Sequence, residues 1–121
     1  MTNIDDYPNE FLDEDGYPTE FALDKIRTWD YTEGFDKLLE FVGSLWAYRD
    51  AGYWSVERNT PHPWRNGIVE DVYNASTAGW SGNEDIIRAL QENGIFWMRC
   101  WYQSRRGGHY IFKIEKKVND D

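Results

Sequence analysis

The apolar positions of this chain change period several times, and each change marks an element. Ala22, Leu23, Ile26 and Trp29 recur at helical spacing behind Thr19 as N-cap and Glu20 in the first turn, which predicts a helix over Thr19–Trp29. Phe35, Leu38, Leu39, Val42, Leu45 and Trp46 trace a second and clearer stripe, with Asp36, Lys37 and Glu40 opposite, Thr32 as its cap and Ala51-Gly52 as its end. Tyr53 to Arg58 then reads as a strand. A loop follows with Thr60-Pro61-His62-Pro63 and Asn66-Gly67, and Ile68 to Ala75 is its poorly alternating partner. Ser81 and Glu84 have capping-box spacing, Ile86, Ile87 and Leu90 supply the stripe of a third helix, and Asn93-Gly94 supplies its stop.

Two strands close the chain, Ile95 to Gln103 and His109 to Glu115. Phe96, Met98, Cys100 and Tyr102 form one apolar face, and Tyr110, Phe112 and Ile114 must share it, as in a pairing of Tyr102 with Phe112. A Gly107-Gly108 two-residue turn would pair an even with an odd residue. A three-residue loop, Arg106-Gly107-Gly108, pairs Arg105 with His109 and places Gly108 in the left-handed region.

The expected fold is therefore α+β: two N-terminal helices and one later short helix on an antiparallel sheet of about four strands ending in a β-hairpin. A winged helix with Arg105-Arg106 as its wing is the alternative, poorly served by a helix carrying Glu84, Asp85 and Glu92 against Arg88. The 121 residues suit one domain, with residues 1–18 as an acidic arm and 19–121 as the globular core.

Charge sharpens this picture. The net charge is −9, yet residues 1–24 hold eight acids and no base, whereas residues 95–117 hold Arg99, Arg105, Arg106, Lys113, Lys116 and Lys117 against Glu115. The average argues against general nucleic-acid binding. Cys100 is the only cysteine, so no disulfide framework or thiolate zinc site is expected. With no signal-like or membrane-spanning run, the expectation is a cytoplasmic protein without cofactor or metal.

Several pieces carry a family resemblance: Asp15-Gly16-Tyr17-Pro18-Thr19-Glu20, the Leu45-Trp46 helix end, Gly79-Trp80-Ser81-Gly82-Asn83-Glu84 and Arg106-Gly107-Gly108-His109-Tyr110. From about Asp13 to Ile114 the chain resembles a family of short uncharacterised phage and bacterial proteins. Where that family has a paired glycine before the tryptophan, this chain has Ala78-Gly79. The resemblance implies a phage or mobile-element origin and no activity.

Candidate chemistry is sparse. Ser81 with His109 as base would make a small hydrolase, but Asn83 stands where a nucleophile elbow needs glycine, and N-capping is the stronger reading of Ser81. The Trp80, Ser81, Asn83 turn opening a helix, near Arg105 or Arg106, suits an anion or nucleotide. Trp97, Arg99 and Trp101 beside Lys113 have the aromatic and basic mix of a single-strand stacking surface, unless helices cover them. Asp13, Asp15 and Gly16 fail as a calcium loop, since Phe11 and Ala22 occupy its end positions. His62 and His109 have no ligand at metal spacing in sequence. The leading expectation is a noncatalytic interaction protein whose acids Asp5, Asp6, Glu10, Asp13, Glu14 and Asp15 face a basic surface of a protein partner. A nucleotide or nucleic-acid binder and a hydrolase are the alternatives.

Overall fold

A computed structural model describes residues 10–117. Four helices, α1 (Glu20–Arg27), α2 (Phe35–Leu45), α3 (Ser81–Glu92) and α4 (Gly94–Cys100), accompany four strands, β1 (Trp54–Pro61), β2 (Ile68–Ser76), β3 (Trp101–Arg105) and β4 (His109–Lys117). The strands form one antiparallel sheet in the order β1-β2-β4-β3, so the fold is α+β and its sheet ends in the β3-β4 hairpin. Among the described residues no helix is long and apolar enough to cross a membrane.

Local sequence explains most of these boundaries. Thr19 caps α1 as expected, its hydroxyl accepting from Ala22 N–H at 3.1 Å. That helix stops two residues before Trp29, because the Thr28 hydroxyl bonds back to Asp24 O and Asp30 caps a separate 3-10 turn over Tyr31–Glu33. Thr32 lies inside that turn, so Gly34, at φ 90, takes the N-cap position of α2. Leu38, Leu39 and Val42 of α2, Ile86 and Leu90 of α3 and Ala22 and Ile26 of α1 join Tyr73, Ala75 and Phe112 of the sheet in one core. Gly43 lets α2 approach β1 closely, since a Cβ there would lie 2.7 Å from Trp54 Nε1.

The acidic segment is only partly an arm. Leu12 is buried in the core and forms an isolated bridge with Pro18, and Phe11 stacks on Phe21. From Glu10 onward the segment is thus folded onto α1. Asp5 and Asp6 lie outside the described residues.

Further expectations change. The Ile95–Gln103 strand begins only at Trp101, because residues 94–100 form α4. Asn93, legible as a stop signal, also starts this helix: its Oδ1 accepts from Phe96 N–H at 3.2 Å, while its Nδ2 donates to Ile26 O and Trp29 O. Phe96 and Cys100 are buried four residues apart, whereas Met98 is 77% exposed, so the apolar run follows a helical period. Ser81 is not the N-cap of α3. That position belongs to Trp80, without a side-chain cap, and the Ser81 hydroxyl hydrogen-bonds the Tyr17 hydroxyl at 3.4 Å.

At its turn the hairpin pairs as read from the sequence, with Arg105 opposite His109 across a three-residue loop. A bulge at Tyr102 then shifts the pairing, so that Trp101, not Tyr102, faces Phe112.

On β2 the poor alternation has a specific cause, since Glu70 and Asp71 are both buried. Asp71 serves the bulge in β1: its Oδ1 accepts from Asn59 N–H at 3.0 Å, and its Oδ2 pairs with Arg58 and Lys116, each at 3.1 Å. Burial pushes its carboxyl pKa up, but these bonds outweigh burial and hold it below the usual value. A depressed folded-state pKa stabilises the protein above the unfolded value of about 4, and that contribution disappears as pH falls through the folded pKa. Asp71→Asn is therefore expected to cost about 2 kcal/mol at neutral pH. Urea unfolding at pH 7 and at pH 3 checks this, and the gap to wild type should narrow at the lower pH.

Candidate functional site

The helices cover only one face of the sheet. On the other face stand Glu70, Val72 and Asn74 of β2 beside Ile111, Lys113 and Glu115 of β4, paired as Glu70 with Glu115, Val72 with Lys113 and Asn74 with Ile111. β3 is shorter than β4, and its pairing ends at Trp101 with Phe112, so from Lys113 to Lys117 β4 keeps β2 on one side and has no strand on the other among the described residues.

The direction of the peptide groups along this edge follows from one bond. Thr77 N–H donates to Gly108 O at 3.0 Å, so Gly108 faces β2. Alternation then turns the N–H and C=O groups of residues 110, 112, 114 and 116 toward β2 and those of Lys113, Glu115 and Lys117 toward the open side.

A groove of about 670 Å³ lies along this edge. On the helix side its wall is Tyr31, Phe35, Asp36, Arg99, Cys100 and Trp101; on the other side it is Tyr102, Lys113, Glu70, His62 and Glu115. Arg99 lies over the Tyr31 ring, 6.0 Å from its centroid, and Lys113 Nζ sits 3.7 Å from the Tyr102 centroid. Lys113 also reaches Glu70 Oε1 at 3.3 Å, and Arg65 holds Glu115 Oε1 at 2.8 Å. Burial pushes the Cys100 thiol up to about 12, so at neutral pH it is a protonated wall residue rather than a nucleophile.

The residues singled out from sequence are distributed unevenly around this groove. Arg99 and Trp101 line it. Trp97 is on α4 rather than a strand, half-buried and packed on Phe112, Tyr110 and Trp101, so Trp97, Arg99 and Trp101 do not form one stacking stripe. Trp80 packs against Tyr17 with centroids 4.6 Å apart and the rings tilted by 40°, and a Cβ at Gly82 would collide with its ring. Asn83 is fully buried and bonds the backbone of Ala47 and Thr77, so it offers nothing to a ligand. Arg105 and Arg106 are exposed at the far hairpin turn, and His109 lies in the ladder between Arg105 and Ser76.

Glu10, Asp13, Glu14 and Asp15 are exposed, and the Asp13 carboxylate accepts from the backbone of Asp15 and Tyr17, closing its own turn. The sequence reading missed Tyr102, Glu70, His62 and Glu115 as a group. Their proximity depends on β2 pairing with β4, and no local signal announces that.

Nothing among known family models, curated proteins or solved structures matches this chain.

Proposed function

We propose that the protein is a noncatalytic binding module that takes up an extended segment of a protein partner as an added strand along the open edge of β4. The observation that carries this reading is the five-residue stretch Lys113–Lys117, which continues past the end of β3 beside a groove. An added strand satisfies peptide groups that otherwise rely on water, and main-chain bonding of this kind supplies affinity while side-chain pockets supply selectivity. Lysines also protect strand edges from indiscriminate pairing, and they leave such an edge selective for acidic segments.

The outer-face residues along the edge are Lys113, Glu115 and Lys117. A fitting strand therefore carries acids opposite the two lysines and a base opposite the glutamate. The class of function is the one expected from composition, with the contact surface moved from the acidic turn to the groove, because Asp13 is committed to its own turn.

The probe is an acetylated peptide alternating Asp-Val-Lys-Val-Asp, compared with the same peptide N-methylated at alternate amides. The first should protect the Glu115 and Lys117 amides from hydrogen exchange, and the second should not. Equal binding of both peptides, or no protection at millimolar peptide, would overturn the reading.

A further inference from the structure

We propose that His62, Glu70 and Glu115 form a site for one divalent transition-metal ion, held by His62 Nε2 and one oxygen of each glutamate. The donor atoms lie within 4.8 Å of one another, with Nε2 3.9 Å from Glu70 Oε2 and 3.8 Å from Glu115 Oε2. Donors around a tetrahedral ion with bonds of ~2.1 Å lie ~3.4 Å apart, so the two histidine–carboxylate separations must each shorten by about half an ångström and the widest donor separation by up to about 1.4 Å.

The arrangement of the two carboxylates is the strongest argument. Each has its Oε1 held by a cation, Lys113 for Glu70 and Arg65 for Glu115, and each turns its Oε2 toward the histidine. Partners that fix one carboxylate oxygen and present the other are the usual support of a metal ligand. The two glutamates are also directly paired across β2 and β4, which brings both carboxylates to one point on the outer face.

His62 adds an independent observation. Its side chain is 9% exposed, its backbone N–H is tied to Ile68 O at 3.0 Å, and the Trp64 ring packs edge-on against it at 5.3 Å. Among the described residues Nε2 has no hydrogen bond, since both carboxylates are beyond reach, and a nearly buried ring nitrogen left in this way is uncommon.

Nδ1 accepts a long 3.3 Å bond from Trp64 N–H, which places the proton of the neutral ring on Nε2. Metal binding moves that proton to Nδ1 with no net release, and the Trp64 contact opens. Imidazole with carboxylates suits zinc or manganese better than magnesium. Three protein donors leave a coordination position open to the groove. Because Lys113 and Arg65 already offset the glutamate charges, an anion is the favoured fourth ligand. The site uses outer-face side chains and does not require a strand to be added at the edge.

Calorimetric titration of the full chain with zinc chloride should show one equivalent bound, with magnesium chloride giving no comparable signal. His62→Gln and Glu70→Gln should each weaken zinc at least tenfold, and His109→Gln should leave it unchanged. Should Glu70→Gln fail to fold, manganese(II) line broadening in wild-type protein decides: it should centre on His62, Glu70 and Glu115. Broadening centred on the Asp13–Asp15 turn, unchanged zinc affinity in His62→Gln, or no binding at millimolar zinc would overturn the proposal.

Discussion

Gly108→Val is expected to cost about 3–5 kcal/mol, a large part of the stability of a domain of this size. Two effects combine at this position. The backbone is at φ +81, where a β-branched residue is strained, and a Cβ would collide with Thr77 Oγ1. Thr77 cannot yield, because it is 2% exposed and its N–H is bonded to Gly108 O. Gly107 is also at positive φ, +85, but a Cβ there meets nothing within 4 Å. Gly107→Ala should therefore cost only about 1–2 kcal/mol, the backbone term alone. Denaturant midpoints of the two variants measure the difference, and a larger loss for Gly107→Ala would contradict this hairpin geometry.

Asn83→Leu is expected to cost about 3–4 kcal/mol despite its similar size. Its Oδ1 accepts from Ala47 N–H at 3.0 Å, and its Nδ2 donates to Ala47 O at 3.2 Å and Thr77 O at 3.4 Å, so one side chain ties the start of α3 to the end of α2 and the end of β2. Leucine fills the space and leaves those backbone groups without partners in the interior. Chemical denaturation gives the loss, and faster exchange of the Ala47 amide assigns it to this contact. A ligand-binding role for Asn83 predicts the opposite, a variant with unchanged stability.

The neighbouring turn is strained as well. Ala78 is at φ 56 and Gly79 at φ 71, so two successive residues occupy the left-handed region immediately before Trp80. Glycine at both positions would meet this backbone more easily than Ala78-Gly79 does. The sequence marked Ser81 as the cap because Ser81 and Glu84 have capping-box spacing. In the fold, Thr77 organises the turn, its O accepting from Trp80 N–H and its hydroxyl from Gly79 N–H.

Elements whose signal is local were legible from the sequence. The stripe from Phe35 to Leu45, the Thr19 cap and the Arg106-Gly107-Gly108 loop each need only neighbouring residues, and each is found where the pattern placed it. Residues 94–100 were misread because Phe96, Met98, Cys100 and Tyr102 alternate in sequence, whereas the capping of Asn93 and the packing of Phe96 and Cys100 favour a helix. Alternation over so few residues is compatible with either backbone, and burial against the rest of the molecule selects one.

What the sequence by itself determined was the α+β class, the helical stripes and the pairing at the hairpin turn, since backbone period and turn chemistry act over a few residues. The tertiary structure alone decided that β4 lies beside β2, that β3 ends early and leaves Lys113–Lys117 as a free edge, and that His62, Glu70 and Glu115 converge. These are contacts between segments separated by up to 53 residues, and strand order is set by which faces can be buried together, a property of the whole chain rather than of any window within it.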